Sequence, residues 1–218
     1  MSDKDVVRLS KLLSKTLRHQ AKRMGLNIRT DGRVAIDELL AHNSFRGVTV
    51  GQVMQVVEEN DKKRFEVEEI SGTLLIRAAQ GHTIKTISDE ELLTEVTDAA
   101  ELPVCVHGTY RSALPPILSA GLNRMKRNHI HMAVGLPGTF GVLGEEVVSG
   151  MRGNCDVLLF VDVAKAMQAG VRFFRSSNGV VLTKGVRDSG VLPAEFLRDL
   201  DGTAEIEASL LEKGAAYI

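Results

Sequence analysis

Two histidines flank one isoleucine in the segment RNHIHMA, residues 127–133. In an extended strand successive side chains point to opposite faces. His129 and His131 are therefore predicted to share one face, while Ile130 and Met132 take the other. One interpretation is a zinc site, because His-x-His on a strand offers two ligands. The other is an exposed strand whose histidines have no special role.

The surrounding sequence disfavours zinc. No Cys pair, no His-x-x-x-His and no carboxylate lies within several residues of His131, and Cys105 and Cys155 lie in apolar segments. We therefore expect no metal. A Gly-x-Ser-x-Gly elbow, a G-x-G-x-x-G fingerprint and a P-loop are also absent from the sequence. This argues against a serine hydrolase and against Rossmann or Walker nucleotide sites.

Four short stretches carry groups suited to phosphate or ribose. They are Arg18-His19, Arg64, His107-Gly108-Thr109, and Arg127 with His129 and His131. Arginine presents a planar fork of donors that keeps its charge, and a neighbouring histidine can donate or transfer a proton near neutral pH. A glycine after His107 permits a ligand to approach the backbone, and Thr109 adds a hydroxyl for ribose.

The segment between Asp5 and Asp31 contains no acidic residue. Five cations there follow the three-and-four spacing of one helical face: Arg8, Lys11, Lys15, Arg18 and Lys22. The apolar side of the same predicted helix carries Leu9, Leu13, Leu17 and Met24. An ordinary solvated face is one interpretation. A stripe of one sign over four turns also predicts an anionic partner, with Lys11 and Lys15 in contact with its phosphates.

Composition sets broad limits. The chain has 218 residues, 44% of them hydrophobic and 25% charged, with a net charge of -1, which fits one large or two small globular domains. We expect no membrane partner, because neither a signal peptide pattern nor a long apolar run is visible. Two isolated cysteines favour a reducing intracellular compartment, the cytoplasm or the nucleus.

The order of predicted elements indicates an α+β protein with two domains, 1–98 and 103–218, divided at Pro103. Before the division, a helix near Asp37, a second helix with Val53, Val56 and Val57 inside, and a hairpin about Ser71-Gly72 are typical of a winged-helix domain. After it, we expect short strands in VCVHGT, HIHMAV, DVLLFVDV and NGVVLT, with one clear helix in YRSALPPILSAGL. The last residues, 202–218, are expected to form a loose acidic helix.

Seven segments between about Leu9 and about Leu192 resemble, in order and spacing, the NAD-dependent tRNA 2′-phosphotransferases. They are LSKTLRH, ENDKKRF, IRAAQGHT, VHGT, RNHIHMA, VSGMR and FFRSSNGVVL. The resemblance implies an N-terminal winged-helix RNA lobe followed by a C-terminal ADP-ribosyltransferase-fold lobe that binds NAD. We expect a monomer.

The resemblance also implies a reaction. The internal 2′-phosphate of a ligated tRNA attacks C1″ of NAD and expels nicotinamide, and O2″ of the ADP-ribosylated RNA then attacks the phosphorus. The products are RNA with a 2′-hydroxyl and ADP-ribose 1″,2″-cyclic phosphate. Two alternatives stay open. One is an NAD-dependent ADP-ribosyltransferase that caps terminal phosphates of RNA or DNA, and the other is an RNA-binding module with a degenerate NAD lobe.

The family's catalytic set maps onto Arg18, His19, Arg64 and Arg127. The first three are expected to hold the RNA phosphate, and Arg127 to bridge to NAD. The remaining NAD contacts implied by the resemblance are His107 at the nicotinamide ribose, His131 at the nicotinamide end, and Gly108, Thr109, Ser112, Arg152, Phe174 and Ser176. For Phe174, core packing is an equal alternative, and His129 is expected to have a supporting role.

The chain departs from the family pattern at three places. Val180 or Val181 stands where many relatives of the fold carry an acidic residue, which suits a phosphate that is already a nucleophile. Ala79 and Thr83 stand where the family often has Asn and Ser, which puts one RNA-side hydrogen bond in doubt. His82 between them is expected to be structural or to lie on the RNA side.

Overall fold

A computed structural model describes residues 1–135, 147, 150–151, 155–198 and 216–217. The chain divides into two compact units. The first contains residues 1–94 and 176–178, and the second contains residues 95–175 and 179–218. Both combine helices with sheet, which confirms the predicted α+β class. The predicted domain bounds, 1–98 for an RNA lobe and 103–218 for an NAD lobe, stay a prediction.

The first unit begins with a helix that changes type. Helix α1 (Asp3–Lys15) begins after Ser2, whose hydroxyl accepts a hydrogen bond from the backbone N–H of Asp5. The chain then continues as a π-helical segment, Thr16–Gln20, in which the N–H of Ala21 donates to the carbonyl five residues earlier (2.8 Å). The prediction of one uniform helix through residue 24 is therefore wrong.

The predicted inner side of this helix is largely confirmed. Leu9 is 6% exposed, and Leu13 and Leu17 are fully buried. Met24 is half-buried, because it lies in the turn after the π-helical segment, where the chain no longer keeps the helical register. A Schellman-type end closes the turn, with Gly25 in the left-handed region and the N–H of Leu26 donating to the carbonyl of Ala21.

The rest of the first unit surrounds a three-stranded antiparallel sheet of order β1-β3-β2. Its elements are β1 (Val34–Ala35), α2 (Ile36–Ala41), a 3-10 turn (Asn43–Phe45), α3 (Val50–Glu58), β2 (Phe65–Ile70), β3 (Thr73–Ala78) and α4 (Asp89–Leu92). Val53 and Val56 are fully buried, as predicted, whereas Val57 is half-buried. Ser71 and Gly72 both have positive φ, so the predicted hairpin turn is confirmed.

The second unit is built from short strands. The strands are β4 (Thr94–Val96), whose first residue ends the first unit, β5 (Val106–Thr109), β6 (Leu122–Asn123), β7 (Ile130–Met132), β8 (Val157–Val161), β9 (Phe173–Arg175), β10 (Val181–Thr183), β11 (Val191–Leu192), β12 (Leu197–Arg198) and β13 (Ala216–Tyr217). One sheet has the order β4-β9-β10-β7; β8 pairs with β5, β12 and β13; and β11 pairs with β6.

Within the described part of the second unit, two α-helices accompany these strands, whereas the sequence predicted one clear helix. The predicted helix is α5 (Leu114–Ala120), preceded by a 3-10 turn at Arg111–Ala113, and the additional helix is α6 (Val163–Gln168). Further 3-10 turns lie at Ala99–Glu101, Val186–Asp188 and Ala194–Phe196. All four strands predicted beyond Pro103 are confirmed.

The predicted acidic helix at the end of the chain is wrong at Ala216–Tyr217, which pair in parallel with Val157 and Leu158 of β8. These residues form a strand because the edge of β8 offers unpaired backbone groups to an extended segment. Residues 202–215 of that prediction lie outside the described residues.

The main core of the second unit lies on one face of the sheet that contains β7, β10 and β9. Ile130, Met132 and Val181 belong to this core together with Phe173 and Leu122. Cross-strand partners share a face, and Leu182 of β10 is opposite both His131 and Phe174. The predicted alternation across the HIHM strand is therefore confirmed. Among the described residues, no helix is long and apolar enough to cross a membrane.

Candidate functional site

A groove of about 560 Å³ in the first unit contains the predicted RNA-side residues. The predicted residues that line it are Lys11, Lys15, Arg18, His19 and Arg64. Lys62 adds a further cation, and Glu59 and Asp61 contribute two carboxylates. The structure thus brings together cations that lie almost fifty residues apart in sequence. Below, "the groove" means this set.

The predicted five-residue basic stripe is divided by the structure. Arg8 lines a different recess beside Ser44 and Arg46, and it pairs with Asp5 (3.5 Å). Lys22 is exposed in the turn that follows the π-helical segment and is not among the residues that line the groove. Three of the five cations therefore share one surface, and the prediction of a single continuous stripe is wrong.

Arg64 is fixed at the mouth of the β2–β3 hairpin by Asn60. The side-chain oxygen of Asn60 accepts hydrogen bonds from the backbone N–H of Arg64 (3.1 Å) and from its guanidinium (3.2 Å). The amide nitrogen of Asn60 donates to the hydroxyl of Ser10 on α1 (3.3 Å). Burial lowers the pKa of Arg64, against the opposing effect of Asp61. This desolvation strengthens the interaction of Arg64 with an anion.

The segment from Ala79 to Thr83 connects the two arginines of the groove. The N–H of Ala79 donates to the carbonyl of Arg64 (2.9 Å), and the N–H of Thr83 donates to the carbonyl of Arg18 (2.9 Å). Between them Gly81 has φ of +90° and lies against the Arg18 side chain. The positive φ of Gly81 makes a tight turn between the two backbone hydrogen bonds. The structure gives that turn a specific partner in Arg18.

Thr83 also contacts His19. Its hydroxyl lies 3.1 Å from His19 Nδ1 and 3.4 Å from the Arg18 carbonyl oxygen. Threonine keeps the hydroxyl that serine would supply, and this hydroxyl contacts the protein; the RNA-side hydrogen bond stays a prediction. His82 is 2% exposed, and its Nε2 would lie 3.5 Å from a Cβ at Gly32. This packing supports a structural role for His82.

In the second unit, His107 on β5 is held by β7. Its Nδ1 lies 2.8 Å from the carbonyl oxygen of His131, so Nδ1 carries the hydrogen and donates it. Burial is the main cause that lowers the pKa of His107; the positive charge of Arg127 lowers it further, and the His131 carbonyl opposes both. His107 is therefore neutral near neutral pH and has Nε2 available as an acceptor. Because the charge of Arg127 affects the pKa of His107, these two predicted site residues interact electrostatically.

Three predicted residues follow His107. The backbone of Gly108 pairs with Leu158, and a Cβ at this glycine would stand 2.8 Å from Cys155 Sγ and 2.9 Å from Met151 Cβ. Protein atoms therefore fill this side of Gly108, where we expected space for a ligand. Thr109 is 7% exposed, and Ser112 is exposed in the 3-10 turn before α5. Their contacts with NAD stay predictions.

Arg127 lies in an exposed turn that Arg124 organises. The N–H of Arg127 donates to the carbonyl of Arg124 (3.2 Å), and the Arg124 guanidinium donates to the carbonyl of Arg127 (2.6 Å). The N–H of Arg124 donates to the carbonyl of Gly190 (2.9 Å). The Arg124 side chain also lies against Gly190, because a Cβ on that glycine would stand 2.5 Å from Arg124 Nε. Sequence reasoning missed Arg124.

His129 and His131 are 5% and 8% exposed, so the interpretation of an exposed strand is wrong. His129 forms an edge contact with the ring of Phe174 (6.5 Å between centroids), and Cζ of Arg172 lies 5.0 Å from that ring. Phe174 is 3% exposed. These contacts favour core packing for Phe174 and a supporting role for His129.

Three further predicted positions have different outcomes: two lie within the described residues and one does not. Val181 belongs to the core face with Met132, which leaves Val180 as the candidate for the face that carries His131. Ser176 is grouped with the first unit, and its hydroxyl donates to the side-chain oxygen of Asn178 (2.8 Å). Arg152 lies outside the described residues. No cluster of three or more potential metal ligands occurs within the described residues.

Comparisons with known proteins agree on one family. The model of the family described as RNA 2′-phosphotransferase, Tpt1 / KptA family, matches residues 4–185. A protein named tRNA 2′-phosphotransferase 1 from Danio rerio is 46% identical over 88% of this chain and 84% of its own. The tRNA 2′-phosphotransferase of Saccharomyces cerevisiae is 36% identical over 84% and 81%.

A putative tRNA 2′-phosphotransferase of Schizosaccharomyces pombe is 44% identical over 96% of this chain, which spans 56% of that relative's length. The match to the family model covers most of the chain and includes the groove residues and the strand that carries His107. By these similarities the chain belongs to the RNA 2′-phosphotransferase, Tpt1 / KptA family.

Proposed function

We propose that this chain is an RNA 2′-phosphotransferase that removes the internal 2′-phosphate of a spliced RNA, with tRNA as the substrate and NAD as the acceptor. The observation that carries the proposal is the groove, in which Arg18, His19 and Arg64 lie together. These are the residues that the family resemblance assigns to the RNA phosphate. Family membership and the names of the relatives point to the same substrate.

The proposal assigns one task to each unit. The first unit has a helix, strand, helix, helix and hairpin order around a small antiparallel sheet, which supports a winged-helix RNA lobe. The second unit consists of short strands with the His107 and His131 pair, which supports an ADP-ribosyltransferase lobe. This assignment rests on element order and on the family resemblance together.

The groove suits a phosphate dianion. Arg18 and Arg64 each offer a fork of parallel donors, and His19 adds a donor that is present when its ring is protonated. Arg64 is held in place by Asn60 and is partly desolvated, so it loses little side-chain freedom on binding. Lys11 and Lys15 are exposed on α1, where they bind flanking phosphates of the RNA strand.

On the second unit, the residues fit an uncharged sugar. His107 is neutral, and its Nδ1 is engaged by the His131 carbonyl, so Nε2 accepts a hydrogen bond from a ribose hydroxyl. The residues that would hold NAD are His107, Gly108, Thr109, Ser112, Arg127, His131, Arg152, Phe174 and Ser176. NAD supplies the electrophilic C1″ and the O2″ hydroxyl that completes the transfer.

The cations have a second task when O2″ attacks the phosphorus. Negative charge then increases on a phosphate that already carries an RNA ester and an ADP-ribosyl ester. Fixed donors stabilise this charge without further reorganisation, which is the main contribution of such groups to catalysis. Arg18, His19 and Arg64 provide these donors, and Arg127 neutralises charge between the phosphate and NAD.

The proposal is tested with an RNA that bears one internal 2′-phosphate, incubated with the chain, with and without NAD, and with a metal chelator. We expect dephosphorylated RNA and ADP-ribose 1″,2″-cyclic phosphate in the presence of NAD, and no loss of activity with the chelator. Full activity without NAD would contradict the NAD requirement. ADP-ribosylation of a terminal phosphate of the RNA, with no further reaction, would identify the capping activity instead.

A further inference from the structure

Thr83 makes three contacts with the Arg18-His19 pair from about 65 residues away in sequence. Its backbone N–H donates to the Arg18 carbonyl (2.9 Å). Its hydroxyl lies 3.4 Å from the same carbonyl oxygen and 3.1 Å from Nδ1 of His19. The hydroxyl therefore stands between a backbone acceptor and a ring nitrogen, and the group to which it gives its single hydrogen determines whether Nδ1 donates or accepts.

One arrangement satisfies both hydroxyl contacts. If the Thr83 hydroxyl donates to the Arg18 carbonyl, its oxygen accepts the hydrogen of His19 Nδ1. In the opposite arrangement the hydroxyl donates to Nδ1, and two oxygens then face each other without a hydrogen between them. The first arrangement is favoured because neither contact is lost. It places the hydrogen of neutral His19 on Nδ1, so that a second proton on the ring is carried by Nε2.

We infer that Thr83 is a positioning residue that fixes the ring of His19 in the Nδ1–H tautomer and directs Nε2 to substrate. The Nδ1–H to Thr83 bond is the same in the neutral ring and in the imidazolium. Proton uptake at Nε2 therefore needs no rotation of the hydroxyl, and the ring becomes a donor to phosphate without reorganisation. This inference rests on the proposed function, because the phosphate is the group that Nε2 serves.

Two substitutions at Thr83 distinguish the effect of its hydroxyl from the effect of the rest of its side chain. Thr83→Val keeps the shape and the backbone bond to Arg18 but removes the hydroxyl. Thr83→Ser restores the hydroxyl without the methyl group. Thr30→Val is the matched control. It also removes a hydroxyl contact in the first unit, the one from Thr30 to Glu91 (2.7 Å), and Thr30 does not line the groove.

The first measurement needs no substrate. ¹⁵N spectra of the imidazole rings, with the His19 signals assigned by their loss in His19→Gln, report which nitrogen carries the hydrogen. We expect Nδ1–H in the wild type, in Thr83→Ser and in Thr30→Val, and a mixture of tautomers in Thr83→Val. An Nε2–H tautomer in the wild type, or an unchanged spectrum in Thr83→Val, would overturn the inference.

The second measurement is turnover of 2′-phosphorylated RNA. We expect Thr83→Val to lose about 10-fold to 100-fold in kcat, the range for a misplaced catalytic group, with Thr83→Ser and Thr30→Val close to wild type. Full activity of Thr83→Val would overturn the inference while the proposed function stands. An inactive wild type, by contrast, would overturn the proposed function and with it the positioning of Nε2 for substrate by Thr83, whatever the spectra report.

Discussion

The side chain of Arg18 lies against the backbone of Gly81. A Cβ on Gly81 would stand 3.4 Å from both Cδ and Nε of Arg18, and 3.5 Å from its Cζ. Gly81 also has φ of +90°, a conformation that side chains disfavour. Two features therefore distinguish this position: a backbone conformation that favours glycine, and contact of that backbone with a groove residue.

Gly81→Ala and Gly72→Ala separate the effect of backbone conformation from the effect of the contact with Arg18. Both glycines have positive φ, but a Cβ on Gly72 would have no atom within 4 Å. We expect both variants to lose about 1–2 kcal/mol of unfolding free energy, from strain at positive φ. Only Gly81→Ala should also lose activity, by about 10-fold to 100-fold, because a backbone shift that relieves the strain moves the segment that lies against Arg18. Denaturant titration and turnover measure the two effects. Equal activity of the variants would show that the contact is unimportant.

Lys11→Ala and Lys15→Ala should weaken RNA binding without unfolding the chain, because both side chains are exposed in the groove. Each change should reduce the slope of log affinity against log salt by about 0.7–1. Lys22→Ala is the control, since Lys22 is exposed but does not line the groove. Filter binding across a salt series gives the slopes. If Lys22→Ala changes the slope as much as the other two, the groove is not the RNA surface.

Leu17→Ala should lower the unfolding free energy by about 2–5 kcal/mol, because Leu17 is fully buried and its removal leaves a cavity. Leu12→Ala, at a half-buried position on the same helix, should lower it by less. Denaturant unfolding measures both changes. A Leu12→Ala variant that is less stable than Leu17→Ala would contradict the described packing of α1 and the π-helical segment.

The two steps of the reaction should respond to different residues. Arg18→Ala, His19→Ala and Arg64→Ala remove donors to the charge that develops in the second step, at a cost of about 10²–10³ in rate for each donor. We expect slower-migrating ADP-ribosylated RNA to accumulate in these variants. His107→Ala should slow the consumption of NAD itself, with no intermediate. A gel time course distinguishes the steps, and accumulation in His107→Ala alone would reverse this assignment.

The stability of the protein should depend on pH through His107. Its pKa in the folded chain lies below the ordinary value of 6.5. Between these two values the unfolded chain binds more protons, so unfolding free energy falls as pH drops below about 6.5 through the folded pKa. His107→Asn keeps a donor for the His131 carbonyl but does not titrate, and its free energy should fall less steeply. Denaturant titrations above and below pH 6.5 measure the difference; parallel curves would exclude His107 as the cause.

Local pattern predicted the parts of the groove that lie on one helix. The spacing of Lys11, Lys15 and Arg18 follows from helical periodicity, and the structure places all three on one surface. Arg64 could be added from the family resemblance alone, because nothing in the local pattern relates it to a helix so far upstream. The contacts by which the side chains of Asn60 and Thr83 hold Arg64 and His19 were missed. A signal existed in both cases, since Asn60 lies in the motif ENDKKRF and Thr83 in IRAAQGHT.

Long-range packing explains what the sequence could not predict. A glycine after His107 suggested room for a ligand, whereas Met151 and Cys155, more than forty residues away, fill the space beside Gly108. Arg124 was missed for the same reason, because its contact with Gly190 is formed by distant segments. Alternation along HIHM was predictable because it is local, and burial of both histidines was not, because it depends on the whole fold.

The π-helical segment at Thr16–Gln20 has a consequence for how this site tolerates change in length. A π turn contains one residue more than an α turn, so a deletion within the segment would leave a regular helix and could fold without strain. The chain beyond the segment would keep nearly its register, because the turn would still close, but a deletion before Arg18 would change the direction in which Arg18 and His19 point. Arg18 and His19 would then leave the surface that Gly81 and Thr83 fix, with no residue of the groove substituted. The number of residues between α1 and Ala21 is thus as strict a requirement of the site as their identities.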